Sequence, residues 1–349
     1  MFSVRESTRL LLLLLWTLGF FLSIPEARAA SLEQEPAFRD NFYDVEARGP
    51  LCWIVGYYGT ILHSRDRGLN WELQSSNTHE ALYRVVFVDD QRGWISGSYG
   101  TILHTSDGGK SWRPQPTSTK EHLLGLTFLN ERLGWSVGSR GTILRTEDGG
   151  ISWLNHSLGE DVIINDVRFT SPKHGWAVGE FGRIYQSKDG GQTWRKERSP
   201  VEVSFVSGES RNLFRLLFPD SRAVWALGLD GVILRTQNGE HWDVTRQDGA
   251  LPGDAKRHHL FSASLFGKNK WAVGERGTIL VAPVKSDNWA PARLTIPPTS
   301  LNGIVFGHDG LGFIVGNRGM ILRTEDGGKQ WKPLKIIPKA PGKGVAQLP

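Results

Sequence analysis

Apolar residues along this chain fall into short runs separated by turn-forming residues, and none of the repeated units shows helical spacing. The unit from 81 to 120 shows the pattern most clearly. Four runs in it predict strands, at 82–88, at 93–97, at 101–105 and from Trp112 onward. The first run is valine-rich, as is typical of a strand buried on both faces. The fourth is more polar and ends in prolines, which indicates an edge strand.

The same pattern recurs seven times. The stretch GWSVGSRGTILRTEDGGISW at 134–153 has close copies ending at Trp112, Trp194 and Trp331 and looser copies ending at Trp71, Trp242 and Trp289. A repeat period in the low forties predicts a repeat architecture. Seven units of four antiparallel strands predict an all-β, seven-bladed β-propeller, whose radial closure leaves no long open sheet edge. Helical repeats such as TPR and armadillo do not fit, because the units contain no segment of helical period, and β-helix repeats are about half this length.

A turn of the pattern Ser/Thr-x-Asp-x-Gly-x-x-Trp precedes the fourth run of most units. This motif is the Asp-box, and five copies are intact. Their aspartates are Asp66, Asp107, Asp148, Asp189 and Asp326, and their tryptophans are Trp71, Trp112, Trp153, Trp194 and Trp331. We expect the carboxylates to accept hydrogen bonds from the turn and the indoles to pack between neighbouring sheets. Five identical turns on the perimeter favour this structural role over catalysis or metal binding.

Strand direction divides the loops between two faces. The turns between second and third strands lie on one face, together with the blade-to-blade crossings, and the Asp-box turns lie on the other. The first face is the predicted protein-binding surface, since exposed Arg and Tyr are common in such surfaces. Its candidates are Arg140, Arg276 and Arg318 at the turns, Lys256 and Arg257 in a long crossing, Arg145, Arg235 and Arg323 at the ends of third strands, and tyrosines with His63 and His104 in the first two units. The alternative is that scattered arginines only solvate a large surface.

Charge and composition narrow the classes of function. The net charge of +5 favours an acidic partner surface but is too diffuse to indicate nucleic-acid binding. The single cysteine, Cys52, excludes an internal disulfide, and we expect it to be buried. No metal-spaced cluster, nucleophile elbow or phosphate-binding loop is present, so we expect no cofactor, no metal and no small-molecule substrate. We expect a monomer.

A glycan-acting protein is the alternative class, because Asp-boxes also occur in sialidases and related glycoside hydrolases. Those enzymes need paired acid and base or nucleophile groups and an arginine cluster for the substrate carboxylate. Where sialidases carry an FRIP-like stretch, this chain has only FRDN at 38–41. The sequence therefore favours a noncatalytic protein over a sialidase-like hydrolase or a glycan-binding propeller.

The first 29 residues predict a signal peptide, with a basic start, an apolar core over 10–22 and an Ala-x-Ala site at 27–29. The apolar core is short for a membrane span, which needs about 20 residues; an uncleaved anchor is the alternative, and the absence of a following cysteine argues against a lipoprotein anchor. We expect a lead-in at 30–41, a propeller at 42–338 and a tail at 339–349. These features predict export to a periplasm, or to a thylakoid lumen in a photosynthetic bacterium.

The repeat GW-x-VG-x-x-G-TIL-x-T-x-DGG-x-x-W resembles that of the photosystem II stability/assembly factor family, best at 134–153 and 316–331. The resemblance covers about 42–334. It implies a cofactor-free, lumenal, seven-bladed propeller that binds a membrane-protein complex or its assembly intermediate through a basic, arginine-bearing face. The arginines it carries over are Arg140, Arg145, Arg235, Arg276, Arg318 and Arg323. The chain departs from the family pattern at His63, His104, Gln186 and Val281.

Overall fold

The computed structural model describes residues 40–203, 211–219, 223–246, 258–292, 294 and 296–336. Within them, 28 strands form seven four-stranded antiparallel sheets. This architecture confirms the predicted seven-bladed β-propeller. The predicted signal peptide, most of the lead-in, the end of the predicted propeller and the tail lie outside the described residues. Among those described, no helix has the length and apolar character needed to cross a membrane.

Each blade is built from four consecutive strands. Blades 1 and 2 contain β1 (Phe42–Arg48), β2 (Leu51–Gly56), β3 (Ile61–Ser64), β4 (Glu72–Gln74), β5 (Leu82–Phe87), β6 (Gly93–Gly97), β7 (Ile102–Thr105) and β8 (Arg113–Pro114). Blades 3 and 4 contain β9 (Leu123–Phe128), β10 (Gly134–Gly138), β11 (Ile143–Thr146), β12 (Leu154–Asn155), β13 (Ile164–Phe169), β14 (Gly175–Gly179), β15 (Ile184–Ser187) and β16 (Arg195–Glu197).

The remaining three blades follow the same order. Blades 5 and 6 contain β17 (Leu213–Leu217), β18 (Val224–Gly228), β19 (Ile233–Thr236), β20 (Asp243–Arg246), β21 (Leu260–Phe266), β22 (Asn269–Gly274), β23 (Ile279–Pro283) and β24 (Ala290–Pro291). Blade 7 contains β25 (Leu301–Phe306), β26 (Gly312–Gly316), β27 (Ile321–Thr324) and β28 (Lys332–Pro333).

The first strand of each blade is the innermost one and packs against the first strand of the next blade. In β5, Tyr83 and Val86 are part-exposed and the other four side chains are buried. The apolar run predicted a strand buried on both faces, but one face borders the central channel, where Val86 is part-exposed. The second strands are almost wholly buried. One of them holds Cys52, whose thiol pKa burial raises to about 12.

The ring closes by packing of blade 7 against blade 1 without exchange of a strand. The side-chain amide of Asn302 donates to the carbonyl of Phe42 over 2.8 Å, and Gly319 N–H donates to the carbonyl of Asp40 over 2.7 Å. Arg67 forms an ion pair with Asp309 across the same junction. Hydrogen bonds, an ion pair and inner-strand packing therefore join the two ends of the described chain.

Aromatic rings fill the space between blades in a repeating arrangement. Trp135 of blade 3 stacks on Phe169 of blade 4 with ring centroids 3.5 Å apart, and the Asp-box residue Trp194 meets the same Phe169 ring edge-on at 5.8 Å. Blades 1 and 2 repeat the arrangement with Trp53, Phe87 and Trp112. The repeated tryptophans thus pack one sheet on the next, where apolar burial and ring geometry both contribute.

The Asp-box carboxylates are bonded within their own turns. Thr146 Oγ1 donates to Asp148 Oδ1 over 2.8 Å, and the backbone and hydroxyl of Ser152 donate to the same carboxylate over 2.9 and 2.6 Å. At Asp107, burial alone would raise the pKa, but hydrogen bonds from Ser111 outweigh it and lower the pKa to about 2. These carboxylates hold the turn between the third and fourth strands.

We expect Asp148→Ala to lower the free energy of unfolding by about 1–2 kcal/mol, because it removes three hydrogen bonds to a charged acceptor in a partly exposed turn. Asp148→Asn retains an acceptor oxygen and should cost less, as Asn238 holds the corresponding turn of blade 5. Urea unfolding measures both. The control is Ile151→Ala at an exposed position of the same turn, expected to change stability by less than about 0.5 kcal/mol. Equal stability of Asp148→Ala and wild type would contradict this role.

Candidate protein-binding face

A short 3-10 turn joins the second and third strands of every blade. We call the middle residue of each turn its tip. The seven turns are Tyr57–Gly59, Ser98–Gly100, Ser139–Gly141, Glu180–Gly182, Leu229–Gly231, Glu275–Gly277 and Asn317–Gly319. Since each third strand runs from such a turn to an Asp-box or its equivalent, the tips all lie on the face opposite the Asp-boxes.

All seven tips are non-glycine residues in the left-handed region of backbone conformation. They are Tyr58, Tyr99, Arg140, Phe181, Asp230, Arg276 and Arg318, with φ between 50° and 59°. Left-handed backbone costs a residue with a Cβ about 1–2 kcal/mol. A conformation of this cost persists when the surroundings determine it, and it is often found at functional sites.

Hydrogen bonds from both flanks hold the tips of blades 1, 2, 3, 6 and 7 in place, as blade 2 shows. Ser98 N–H donates to the carbonyl of Ala81, and Gly100 N–H donates to the carbonyl of Glu121, both over 2.8 Å. Gly100 has a φ of +72°, and a Cβ there would lie 2.1 Å from the Thr119 carbonyl oxygen. The backbone of the tip is therefore fixed between the crossing that precedes its blade and the crossing that follows it.

Five tips that are consecutive around the ring are exposed. In order from blade 6 through blade 7 to blade 3 they are Arg276, Arg318, Tyr58, Tyr99 and Arg140, and we call them the tip arc. The tips of blades 4 and 5, Phe181 and Asp230, are half-buried. The arc therefore presents three guanidinium groups and two phenol rings on one side of the ring.

The tyrosines of the arc contact histidine rings of the neighbouring crossings, one stacked and one edge-on. Tyr58 lies parallel to His79 with ring centroids 4.6 Å apart, and Tyr99 meets His122 at 5.0 Å. A cavity of about 400 Å³ opens beside Tyr58. Arg140 has only a loose ion pair, 3.9 Å from Glu121, and 72% of its side chain is exposed. The arc is thus accessible to a partner and partly preorganised.

Arg145, Arg235 and Arg323 occupy a different place from the one expected. Each lies at the Asp-box end of its third strand, directly opposite an aromatic residue of the second strand, namely Trp135, Trp225 and Phe313. The expectation that these arginines extend the basic side of the tips is therefore wrong in geometry, because the tips lie at the other end of the same strands.

These three arginines contact the next blade instead. Arg145 Nε donates to the Gly190 carbonyl and Arg323 Nε to the Arg67 carbonyl, each over 2.8 Å. Arg235 Nη1 lies 2.9 Å from the Asp287 carboxylate. They therefore link blades 3 to 4, 7 to 1 and 5 to 6.

His63 and His104 occupy the equivalent positions of blades 1 and 2 and do not form part of the tip face. His63 is 2% exposed and stacks on Trp53 at 5.2 Å, and His104 is half-buried against Trp94. Burial, followed by the charge of Arg65, lowers the pKa of His63 to about 4. The predicted contacts Lys256 and Arg257 lie outside the described residues.

The opposite face holds the Asp-box aspartates. Each intact box repeats the same local bonds. Across the part of the chain that the structure describes, no group of three or more His, Cys, Asp or Glu side chains is placed to hold a metal ion.

The blades and their turns make this chain an Asp-box repeat β-propeller. The family model described as photosynthesis system II assembly factor YCF48 matches residues 28–120, 69–153, 152–264 and 261–347. Since these matches span most of the sequence, the chain belongs to that family.

One curated relative is the photosystem II assembly lipoprotein Ycf48 of a Picosynechococcus strain, 32% identical over 124 residues. This match covers 33% of the chain and about a third, 35%, of the relative. The solved structure of YCF48 bound to D1 peptide is 22% identical, with a TM-score of 0.62 over 82% of this chain and 92% of that one.

Glycoside hydrolases also share the fold. The GH74 enzyme of Niastella koreensis has a TM-score of 0.66 at 12% identity, over 83% of this chain and 53% of that enzyme. At this level of identity the similarity is one of fold alone.

Proposed function

We propose that this protein binds a segment of a protein partner through the tip arc and thereby assists assembly of a membrane-protein complex, photosystem II being the complex in the family's name. The observation that carries the proposal is the arc itself. Five neighbouring blades present Arg, Arg, Tyr, Tyr and Arg on a backbone held in a costly conformation. Arg and Tyr are, with Trp, the residues enriched among those that carry most of the binding energy at protein interfaces.

The chemistry of the arc favours an acidic, partly apolar segment. Its guanidinium groups pair with carboxylates through several donors, and its phenol rings offer apolar surface at little entropic cost. Acidic neighbours, Glu121 beside Arg140 and Glu275 beside Arg276, reduce the net positive charge of the face. Specificity would therefore come from the order of side chains around the arc rather than from bulk charge.

Two comparisons support the proposal, and the predicted signal segment bears on where the protein acts. A YCF48 structure of the same fold holds a D1 peptide, and a curated relative is named an assembly lipoprotein. The predicted signal segment at 1–29 supports export to the periplasmic or lumenal side of a membrane. Monomeric state remains a prediction, and we propose no catalytic activity.

Binding of a fluorescent D1 peptide to residues 30–349 tests the proposal, with a scrambled peptide as reference. We expect the combined change Arg140→Glu, Arg276→Glu and Arg318→Glu to weaken binding at least tenfold, because it replaces three attractive charges by repulsive ones. The pair Tyr58→Gly and Tyr99→Gly removes both rings, and glycine tolerates their positive φ. We expect it to weaken binding while the fold is retained.

The matched control reverses three charges on the Asp-box face, Lys110→Glu, Lys188→Glu and Lys329→Glu, all at exposed positions. It changes net charge equally, so binding within about twofold of wild type would place the effect on the arc rather than on bulk charge. Equal losses in both triple variants, or no preference for the D1 peptide over its scrambled form, would overturn the proposal.

A further inference from the structure

The central channel contains a layer of charged side chains that the tip arc does not use. The second strand of every blade ends in a glycine, and the residue before that glycine pairs with one residue of the first strand. From blade 1 to blade 7 these first-strand residues are Asp44, Arg84, Gly125, Asp166, Arg215, Ser262 and Gly303. Glu46 and Arg168 lie two residues further along their strands. We call Asp44, Glu46, Arg84, Asp166, Arg168 and Arg215 the channel layer.

Ion pairs in the layer span several blades but are loose. Arg84 Nη1 lies 3.7 Å from Asp44 Oδ1, and Arg84 Nη2 lies 3.8 Å from Asp166 Oδ1, two blades away. Gly125 of the intervening blade leaves the space for this reach, since a Cβ there would lie 3.0 Å from the Asp166 Cα. Arg168 Nε is 3.8 Å from Asp166 Oδ2. These distances are longer than hydrogen bonds.

Arg215 has unused donors. It is 7% exposed, and among the described residues its Nε and Nη1 atoms have no hydrogen-bond partner. Arg168 Nε and Arg84 Nε are also without one. Leaving a buried charged donor unsatisfied costs more than leaving a neutral one, so a site of this kind favours an acceptor. Burial, followed by Arg84 and Arg168, lowers the pKa of Arg215 to about 9, which leaves it charged at neutral pH.

The charge balance of the layer favours a single negative charge. Burial, followed by the neighbouring Asp44, raises the pKa of Glu46 to about 8, so this carboxyl is mostly protonated at pH 7. Three arginines then face two aspartates, which leaves one net positive charge. A protonated Glu46 also supplies an O–H donor.

The layer borders a cavity of about 750 Å³. Asp44, Glu46, Arg84, Arg168 and Arg215 line it. Val86, Leu217 and Val305 line it at the register that Glu46 and Arg168 occupy in their blades, and Leu129 and Phe218 line it nearer the Asp-box face. The cavity therefore brings convergent charged side chains together with apolar ones, and its polar share is higher than in most ligand pockets, which suits a charged ligand.

We propose that this cavity binds a singly charged carboxylate that enters from the Asp-box face, with its oxygens accepting hydrogen bonds from Arg215 and Arg168 and from the Glu46 carboxyl. A carboxylate balances the single net charge, whereas a phosphate carries more negative charge than the layer neutralises. The carboxylate can belong to a small molecule or to the C-terminus of a peptide. The site is independent of the tip arc.

Calorimetric titration of residues 30–349 at pH 7 tests the proposal with four probes: butyrate, N-acetyl-tetraalanine, its C-terminal amide and inorganic phosphate. We expect one or both carboxylates to bind at least tenfold more tightly than phosphate, and the amide not to bind. Butyrate alone would identify a small-molecule site, whereas preference for the free-acid peptide would identify a C-terminus site. No heat of binding from either carboxylate up to millimolar concentrations would overturn the proposal.

Substitutions in the channel layer test whether the carboxylate binds there. We expect Arg215→Gln to weaken carboxylate binding at least tenfold and the exposed control Arg132→Gln, on the Asp-box face, to leave it within twofold. If Arg215→Gln does not fold, Arg168→Gln gives the same test at a residue that is more exposed. If the folded variant, Arg215→Gln or Arg168→Gln, binds the carboxylate as tightly as wild type, the carboxylate does not bind at the channel layer. This outcome does not depend on how the tip-arc variants change peptide binding.

Raising the pH supplies a second readout. The groups that influence Glu46 are Asp44, Arg48, Arg168 and Arg215, and those that influence Arg215 are Arg84, Arg168, Asp166 and Asp44. Deprotonation of Glu46 near pH 8 adds a repelling charge and removes a donor, so carboxylate affinity should fall between pH 7 and 8.5. Glu46→Gln should abolish most of that fall. An identical pH profile in wild type and Glu46→Gln would exclude Glu46 from the site.

Discussion

Replacing Trp135 with alanine should lower the free energy of unfolding by about 3–5 kcal/mol, the range typical of large-to-small changes at buried aromatic positions. Trp135 is wholly buried, stacks on Phe169 of the next blade at 3.5 Å and donates from Nε1 to the Gly190 carbonyl over 2.9 Å. The change therefore removes packing and a hydrogen bond from the junction of blades 3 and 4. Denaturant unfolding followed by far-ultraviolet circular dichroism measures the loss.

Two comparison variants separate the contributions. Trp135→Phe retains a ring against Phe169 but loses the Nε1 donor, so we expect about 1–2 kcal/mol of loss. Leu154→Ala removes an exposed side chain in the same blade and should change stability by less than about 0.5 kcal/mol. A loss below about 1 kcal/mol for Trp135→Ala would contradict the view that the repeated tryptophans hold neighbouring blades together.

The fold was predictable because its local requirements recur in the sequence. Glycine is needed where backbone φ is positive and a Cβ would also meet a neighbouring group, aspartate where turn N–H groups need an acceptor, and tryptophan where two sheets meet, so each blade repeats the same letters. Gly100 illustrates the first requirement, because its φ is +72° and a side chain would meet the Thr119 carbonyl. Strand direction also assigned Arg140 and the other tips to one face.

The placement of Arg145, Arg235 and Arg323 needed the hairpin register as well as strand direction. Counting from the tip of blade 3 sets Arg145 opposite Trp135 at the Asp-box end of the hairpin. An arginine at this position covers an indole and reaches a carbonyl of the next blade, as Arg145 reaches Gly190. The contact to the next blade depends on how two neighbouring sheets pack, which strand periodicity does not encode.

The channel layer was missed because its residues are far apart in sequence and none lies in a motif. The available signal was a charged residue at the same repeat position of four inner strands, at Asp44, Arg84, Asp166 and Arg215. Charges at this position indicate a shared polar channel only after the ring is closed. Their ion pairs join blades that are not neighbours, as Arg84 and Asp166 show.

Glu46 within this layer leads to the prediction with the clearest dependence on pH. Its pKa is about 8 in the folded chain against 4.5 as the ordinary value, so the folded state binds a proton that the unfolded state releases between these pH values. Stability from this group is therefore fully present below pH 4.5, decreases as the pH rises to about 8 and is constant above it. The free energy of unfolding that this group contributes should therefore fall by roughly 2–4 kcal/mol between pH 4.5 and pH 8. This is less than the full difference in pKa implies, because Glu46 is partly exposed to the channel.

Glu46→Gln should therefore be more stable than wild type by about 2–4 kcal/mol at pH 8, with little difference below pH 4.5, because glutamine is neutral in both states. Other groups titrate in different windows. The lowered pKa of His63, about 4, makes stability rise with pH only up to 6.5, and the lowered pKa of Lys270, about 8, acts above that value. The interval from pH 6.5 to 8 thus reports mainly on Glu46.

Urea unfolding of wild type, Glu46→Gln and the exposed control Glu72→Gln at several pH values measures this difference. Subtracting the variant's curve from that of wild type cancels the contributions of His63 and of the Asp-box carboxylates. We expect Glu72→Gln to follow wild type at every pH and Glu46→Gln to lose the downward slope between pH 6.5 and 8. Parallel curves for wild type and Glu46→Gln would show that Glu46 is ionised in the folded channel, which would also remove the net positive charge that draws a carboxylate to Arg215.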